Sequence, residues 1–88
     1  MEILRSASAG TMESSDAYVE VEPSADLKVF VDSVVAKQFG EQIEAAVHTV
    51  LHDCGVKAGV VRVYDRGAQD CVVRARVETA LKRSGGDV

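Results

Sequence analysis

Between residues 17 and 22 apolar and polar side chains alternate, with Ala17, Val19 and Val21 set against Tyr18, Glu20 and Glu22. A period of two is that of a strand with one face packed and one face wet. Pro23-Ser24-Ala25-Asp26 interrupts it, because proline fixes φ and removes a ladder donor. Alternation resumes as Leu27, Val29 and Val31 against Lys28, Phe30 and Asp32, which predicts a second strand. The short connection predicts that the two pair as an antiparallel hairpin.

Beyond Ser33, a competent N-cap, the period lengthens. Val35, Phe39, Ile43, Ala46, Val47, Val50, Leu51 and Cys54 recur three and four positions apart, along one helical face. Gly40 weakens the helix by about 1 kcal/mol relative to alanine, so the start lies just after Ser33 or nearer residue 40. Gly55 suits the left-handed position that ends helices.

Residues 57–64 predict a third strand, Asp65-Arg66-Gly67 a turn, and residues 68–83 a second helix. Asp70 there complements the helix dipole, and Val73, Val77, Ala80 and Leu81 share the inner face. The order is β-β-α-β-α. A strand–helix–strand crossover makes the second and third strands parallel. Burying both helical stripes predicts an α/β (α+β) two-layer sandwich, a small mixed sheet with both helices on one face. That domain spans residues 17–84, and Gly85 opens a frayed tail of residues 85–88. Residues 1–16 are rich in serine and small residues and offer little apolar surface to offset ordering. They predict a flexible N-terminal arm, with extended pairing open to Ile3 and Leu4.

Eighty-eight residues suffice for one thin core and leave little volume for a deep catalytic pocket. With no Trp and only 5% aromatic residues, that core is built from Val, Ala, Leu and Ile. A net charge of −4 opposes nucleic-acid binding, which needs clustered cations to displace counterions. Arg62, Arg66, Arg74, Arg76, Lys82 and Arg83 are interleaved with acids and read as a solvated face. No apolar run reaches bilayer length, and Met1-Glu2-Ile3-Leu4-Arg5 lacks the pattern of a secretion signal. No membrane association is expected, and the expected compartment is the cytoplasm. Cys54 and Cys71 lack metal or redox spacing and read as two small buried hydrophobes.

Catalytic constellations are not evident. His48 and His52, four apart on the first helix, lack a third and fourth ligand and read as solvent-facing. Glu20 and Glu22 lie on one side of a strand, where two acids are commonplace. No nucleophile elbow or phosphate loop occurs. A chain without an active site still serves catalysis if it carries a substrate, which requires one exposed nucleophile on backbone able to reach other subunits. Ser14 and Ser15, beside Glu13 and Asp16, meet that requirement, and on composition alone so do Ser6, Ser8 and Ser24.

Three blocks narrow the choice. Ala9-Gly10-Thr11-Met12-Glu13-Ser14-Ser15-Asp16 resembles the Ala-Gly-Thr-Leu-Glu-Ser-Gly-Asp stretch of citrate lyase acyl carrier proteins. Ser33-Val34-Val35-Ala36-Lys37-Gln38-Phe39-Gly40 resembles that family's Ser-Val-x-x-Gln-Phe-Gly segment. The run from Tyr64 to Val77 resembles its Asp-x-Gly-Ala-Leu-Asp-Cys-x-x-Arg-Ala-Arg segment. The resemblance implies a carrier subunit with no catalytic site of its own. It implies covalent attachment of phosphoribosyl-dephospho-CoA at Ser14 by a prosthetic-group transferase, and no metal. The arm's thiol would bear acetyl, then citryl, groups while citrate is cleaved to acetate and oxaloacetate. The partners would be the citrate lyase alpha (transferase) and beta (lyase) subunits. Ser15 stands where the family has Gly, beside the target hydroxyl.

No Asp-Ser-Leu run occurs, and the expected strands disagree with the helical bundle of ordinary acyl carriers. The neighbouring possibilities are the acyl carrier subunit of malonate decarboxylase, which uses the same type of arm, and a small ligand-binding or regulatory α/β domain.

Overall fold

A computed structural model describes residues 1–34 and 36–85, and of residues 36–39 the backbone alone. The elements run β1 (Ala7–Gly10), β2 (Ala17–Glu22), β3 (Leu27–Ser33), α1 (Ala36–Asp53), β4 (Gly59–Asp65) and α2 (Asp70–Arg83). The expected β-β-α-β-α layout is present, preceded by one more strand.

The strands form a single mixed sheet in the order β1-β2-β4-β3. β2 is antiparallel to both β1 and β4, and β3 is parallel to β4. β2 and β3 therefore run in opposite directions, as their short connection requires, but they do not pair as a hairpin. β4 lies between them, with Val19 opposite Val63 on one side and Val31 opposite Val63 on the other. Strands two places apart in a sheet are separated by about 10 Å, which four extended residues span. The choice falls to the most buried strand: Gly59, Val60, Val61, Val63 and Asp65 are all buried. A central place satisfies the ladder groups of such a strand on both sides.

Ala17, Val19 and Val21 of β2 and Val61 and Val63 of β4 meet Ile43, Val47, Val50 and Leu51 of α1 and Val73, Val77, Ala80 and Leu81 of α2. Ile43, Ala46, Val47, Val50 and Leu51 of α1 and the four inner positions of α2 are thus buried as their periodicity implies. Cys54 is half-buried just after α1, whereas Cys71, expected to be buried, is exposed in the first turn of α2, off its inner face. Val35, the side chain of Phe39 and the tail residues 86–88 lie outside the described residues. Ser33, the expected N-cap, ends β3, and its hydroxyl donates to Asp65 Oδ2 at 2.7 Å; the start of α1 it would cap lies outside the fully described residues.

Part of the expected arm is integrated into the domain. Residues 7–10 form β1, Ile3 and Ala9 join the core, and the Leu4 and Arg5 amides donate to the Ser84 carbonyl at 3.1 and 3.2 Å. Two apolar side chains and a four-residue ladder with β2 suffice to order a segment whose composition looks unstructured. No helix of the described residues is long and apolar enough to cross a membrane.

Candidate functional site

β1 and β2 are joined by residues 11–16, a loop closed at its base by the Thr11 amide donating to the Ala17 carbonyl at 3.2 Å. Its far end is the turn Glu13-Ser14-Ser15-Asp16, in which the Asp16 amide donates to the Glu13 carbonyl at 3.1 Å. Ser14 is the first corner of that turn and is exposed. No protein group among the described residues binds its hydroxyl. Ser15 is the second corner, with φ +68°, and is the non-glycine residue with positive φ among those described. A turn whose second corner has φ > 0 favours Gly there.

The serine corner is exposed yet held from both sides. The Ser15 amide donates to the Arg66 carbonyl at 2.8 Å, and the Arg66 amide donates to the Asp16 carbonyl at 2.9 Å. The turn is thereby bonded to the loop after β4, as well as sitting on its own hairpin.

Asp16 is the organising residue. Its Oδ1 accepts from the Ala17 amide at 2.7 Å and Arg76 Nε at 3.0 Å, while Oδ2 accepts from Thr11 Oγ1 at 2.7 Å and Arg76 Nη2 at 2.9 Å. Two-pronged guanidinium–carboxylate pairing fixes direction as well as distance. The Arg76 and Thr11 hydrogen bonds, then that from Ala17, hold the Asp16 carboxyl down at about 2, against an ordinary 3.8. The carboxylate is therefore charged throughout the neutral range, and it ties the serine loop to α2. Gly10 allows this closeness. Its φ is +93°, and a Cβ there would collide with the Ala17 carbonyl oxygen and lie 3.1 Å from Arg76 Cδ.

Asp65 supports the same end of the sheet from inside. Fully buried, it accepts from Ser33 through Oδ2 and from the Ala68 amide through Oδ1 at 2.9 Å, joining β3, β4 and the approach to α2. A buried carboxylate is tolerated when it is hydrogen-bonded in this way.

Several sequence expectations meet the structure here. Ser14 and Ser15 share the exposed turn, while Ser6 and Ser8 lie beside and within β1 and Ser24 in the β2–β3 connection. His48 and His52 are exposed on α1, with His48 Nε2 3.8 Å from Glu44 Oε1. Among the described residues no group of three or more His, Cys, Asp or Glu comes together. Glu22 pairs with Arg62 at 2.9 Å, not with Glu20. The arginines are not merely a solvated face: Arg62, Arg74 and Arg76 pair at 2.8–2.9 Å, Arg66 lies 3.9 Å from Asp32, and Arg76 shapes the serine loop. Its position three after Val73 and four before Ala80 was the available signal, since it places Arg76 on the flank of the buried stripe. Its partner, sixty positions away, had no local signature.

The family model described as malonate decarboxylase delta subunit, an acyl carrier model, matches residues 4–84. A citrate lyase acyl carrier protein from Haemophilus influenzae (strain PittEE) is 54% identical over 84 residues, covering 96% of this chain and 88% of that protein. Another, from Albidiferax ferrireducens, is 47% identical over 90 aligned positions, covering 100% and 92%. Among solved structures, a chain of a Pseudomonas malonate decarboxylase hetero-tetramer in complex with malonate superposes with a TM-score of 0.78. It is 24% identical, covering 94% of this chain and 87% of that one, a likeness of fold.

Proposed function

The chain belongs to the acyl carrier family that takes in the citrate lyase acyl carrier proteins, and from that premise we propose that it is the carrier subunit of a citrate lyase, with phosphoribosyl-dephospho-CoA joined to the Ser14 hydroxyl. When attached, the arm supplies a terminal thiol that holds acyl groups as thioesters. What this chain's own residues do is presentation. Asp16, Arg76, Thr11 and the Arg66 backbone hold the turn in one shape, and Ser14 stands at its outer corner. A transferase needs only an accessible hydroxyl there, and the geometry fits.

The reading is supported above all by the exposed Ser14 corner braced from two other elements. A rigid base with a long flexible arm keeps the thioester at high effective concentration near two active sites while spending little order on the protein itself. The acyl-transfer and cleavage steps then belong to larger partner subunits. Citrate lyase is preferred over malonate decarboxylase because relatives at 46–54% identity carry the former name, whereas the malonate decarboxylase structure is 24% identical.

Intact-mass measurement on the chain purified from its native host tests the proposal. We expect a nucleotide-sized adduct at Ser14, absent from Ser14→Ala, with citrate cleavage by the assembled complex reduced at least a hundredfold, as loss of the only covalent carrier implies. An endogenous chain weighing only what its amino acids predict overturns the reading and favours a ligand-binding domain.

A further inference from the structure

Both helices pack on the face of the sheet that carries Val19, Val21, Val61 and Val63; among the described residues no helix packs on the other face. On it the Tyr18 and Tyr64 rings lie side by side, centroids 6.1 Å apart and planes inclined by 33°. Beside them a shallow pocket of about 210 Å³ is lined by Phe30, Val31, Asp32, Arg62, Val63 and Tyr64. Phe30 is 54% exposed there. This patch adjoins the serine loop. Tyr18 and Tyr64 form the rung next to Ala17 and Asp65, where that loop rejoins the sheet, so about 3.4 Å of strand separates their rung from its base. The Ser15 amide is bonded to Arg66, two residues beyond Tyr64.

Resting on the carrier reading above, we propose that Tyr18, Tyr64 and Phe30 form a parking surface for the adenine of the chain's own prosthetic arm, with Arg62 and Arg66 facing its phosphates. Three aromatic faces are a large share of the few aromatic residues in this chain, and they are gathered, partly exposed, on the wet side of a sheet. Base–aromatic stacking tolerates such an open geometry. The pocket is smaller than the roughly 300–1,000 Å³ that holds a drug-sized ligand, so it fits one ring system and leaves the thiol end of the arm free. The two arginine side chains are 38% and 28% exposed; Arg62 engages Glu22 at 2.9 Å, and Arg66 lies 3.9 Å from Asp32 and donates through Nη1 to the Asp65 carbonyl at 3.1 Å, which leaves donors on both for phosphate oxygens. Tethering makes weak stacking sufficient, because a short flexible link gives millimolar effective concentration.

The chain has two tyrosines and no tryptophan, so its intrinsic emission reports this patch alone. Mass measurement first establishes that the endogenous carrier bears the adduct. Tyrosine emission is then compared between that form and the Ser14→Ala chain. Stacked adenine is expected to quench it by roughly half, as millimolar affinity at millimolar effective concentration implies. In the arm-bearing Phe30→Ala chain, the ratio of parked to free arm should fall about tenfold, and Arg62→Gln should weaken it in the same direction. Equal emission with and without a verified adduct overturns the parking surface and leaves the carrier reading intact. Quenching undiminished in both variants also overturns it, by locating the adenine elsewhere. An endogenous chain without adduct removes both proposals together.

Discussion

Ser15 sits in the left-handed backbone region at the second corner of the serine turn. That conformation costs a non-glycine residue about 1–2 kcal/mol, whereas Gly loses roughly 0.5–1 kcal/mol more chain entropy on folding. The first effect is larger, so Ser15→Gly should stabilise the domain by about 0.5–1 kcal/mol in urea titration, and destabilisation would contradict the assigned turn. Asp16 sets the acid behaviour. Its carboxyl titrates near 2 when folded and near 3.8 when unfolded, so between those values the unfolded chain binds more protons. Its contribution is complete above 3.8 and is lost as pH falls toward 2. Asp16→Asn should lower stability at pH 7 yet show a shallower decline across that window. Parallel curves for the two proteins would mean that the Arg76 pairing contributes nothing.

The β1–β2 hairpin turns a serine-rich stretch into a platform. Thr11 and Asp16 bond across the loop, and Arg76 reaches it from α2. Gly10 is the residue on which this closeness depends, having both a positive φ and no room for a Cβ against Ala17. Gly10→Ala should therefore cost about 3 kcal/mol or more and loosen the serine loop, read as faster amide exchange at Ser15 and Asp16. Normal protection of those amides would show that the hairpin has another way to close. The motif spanning residues 9–16 thus has a conformational meaning at most positions, apart from exposed Met12 and the serine that would be modified.

For the whole molecule the core is thin, and stability of roughly 0.05–0.15 kcal/mol per residue puts the domain at about 4–13 kcal/mol. Leu81, fully buried where α2 meets the sheet, should cost about 2–5 kcal/mol as Leu81→Ala, a large fraction of the total, checked by denaturant midpoint. Periodicity alone was enough for both helices and for β2 and β3, because burial of one face imposes a repeat that survives in the residue order. Val73, Val77, Ala80 and Leu81 are a complete example. Likewise the blocks around Ser14 and Tyr64 sufficed to indicate the carrier family. Strand adjacency did not follow from the pattern: a short Pro23–Asp26 link permits pairing of β2 with β3, and only the demand of β4 for partners on both sides excludes it. The order in residues 1–16 was equally hidden, since Ile3 and Ala9 join a core whose other members lie far along the chain. Local periods record which face is buried; which segments meet is decided by contacts between residues far apart in the chain, as between Asp16 and Arg76.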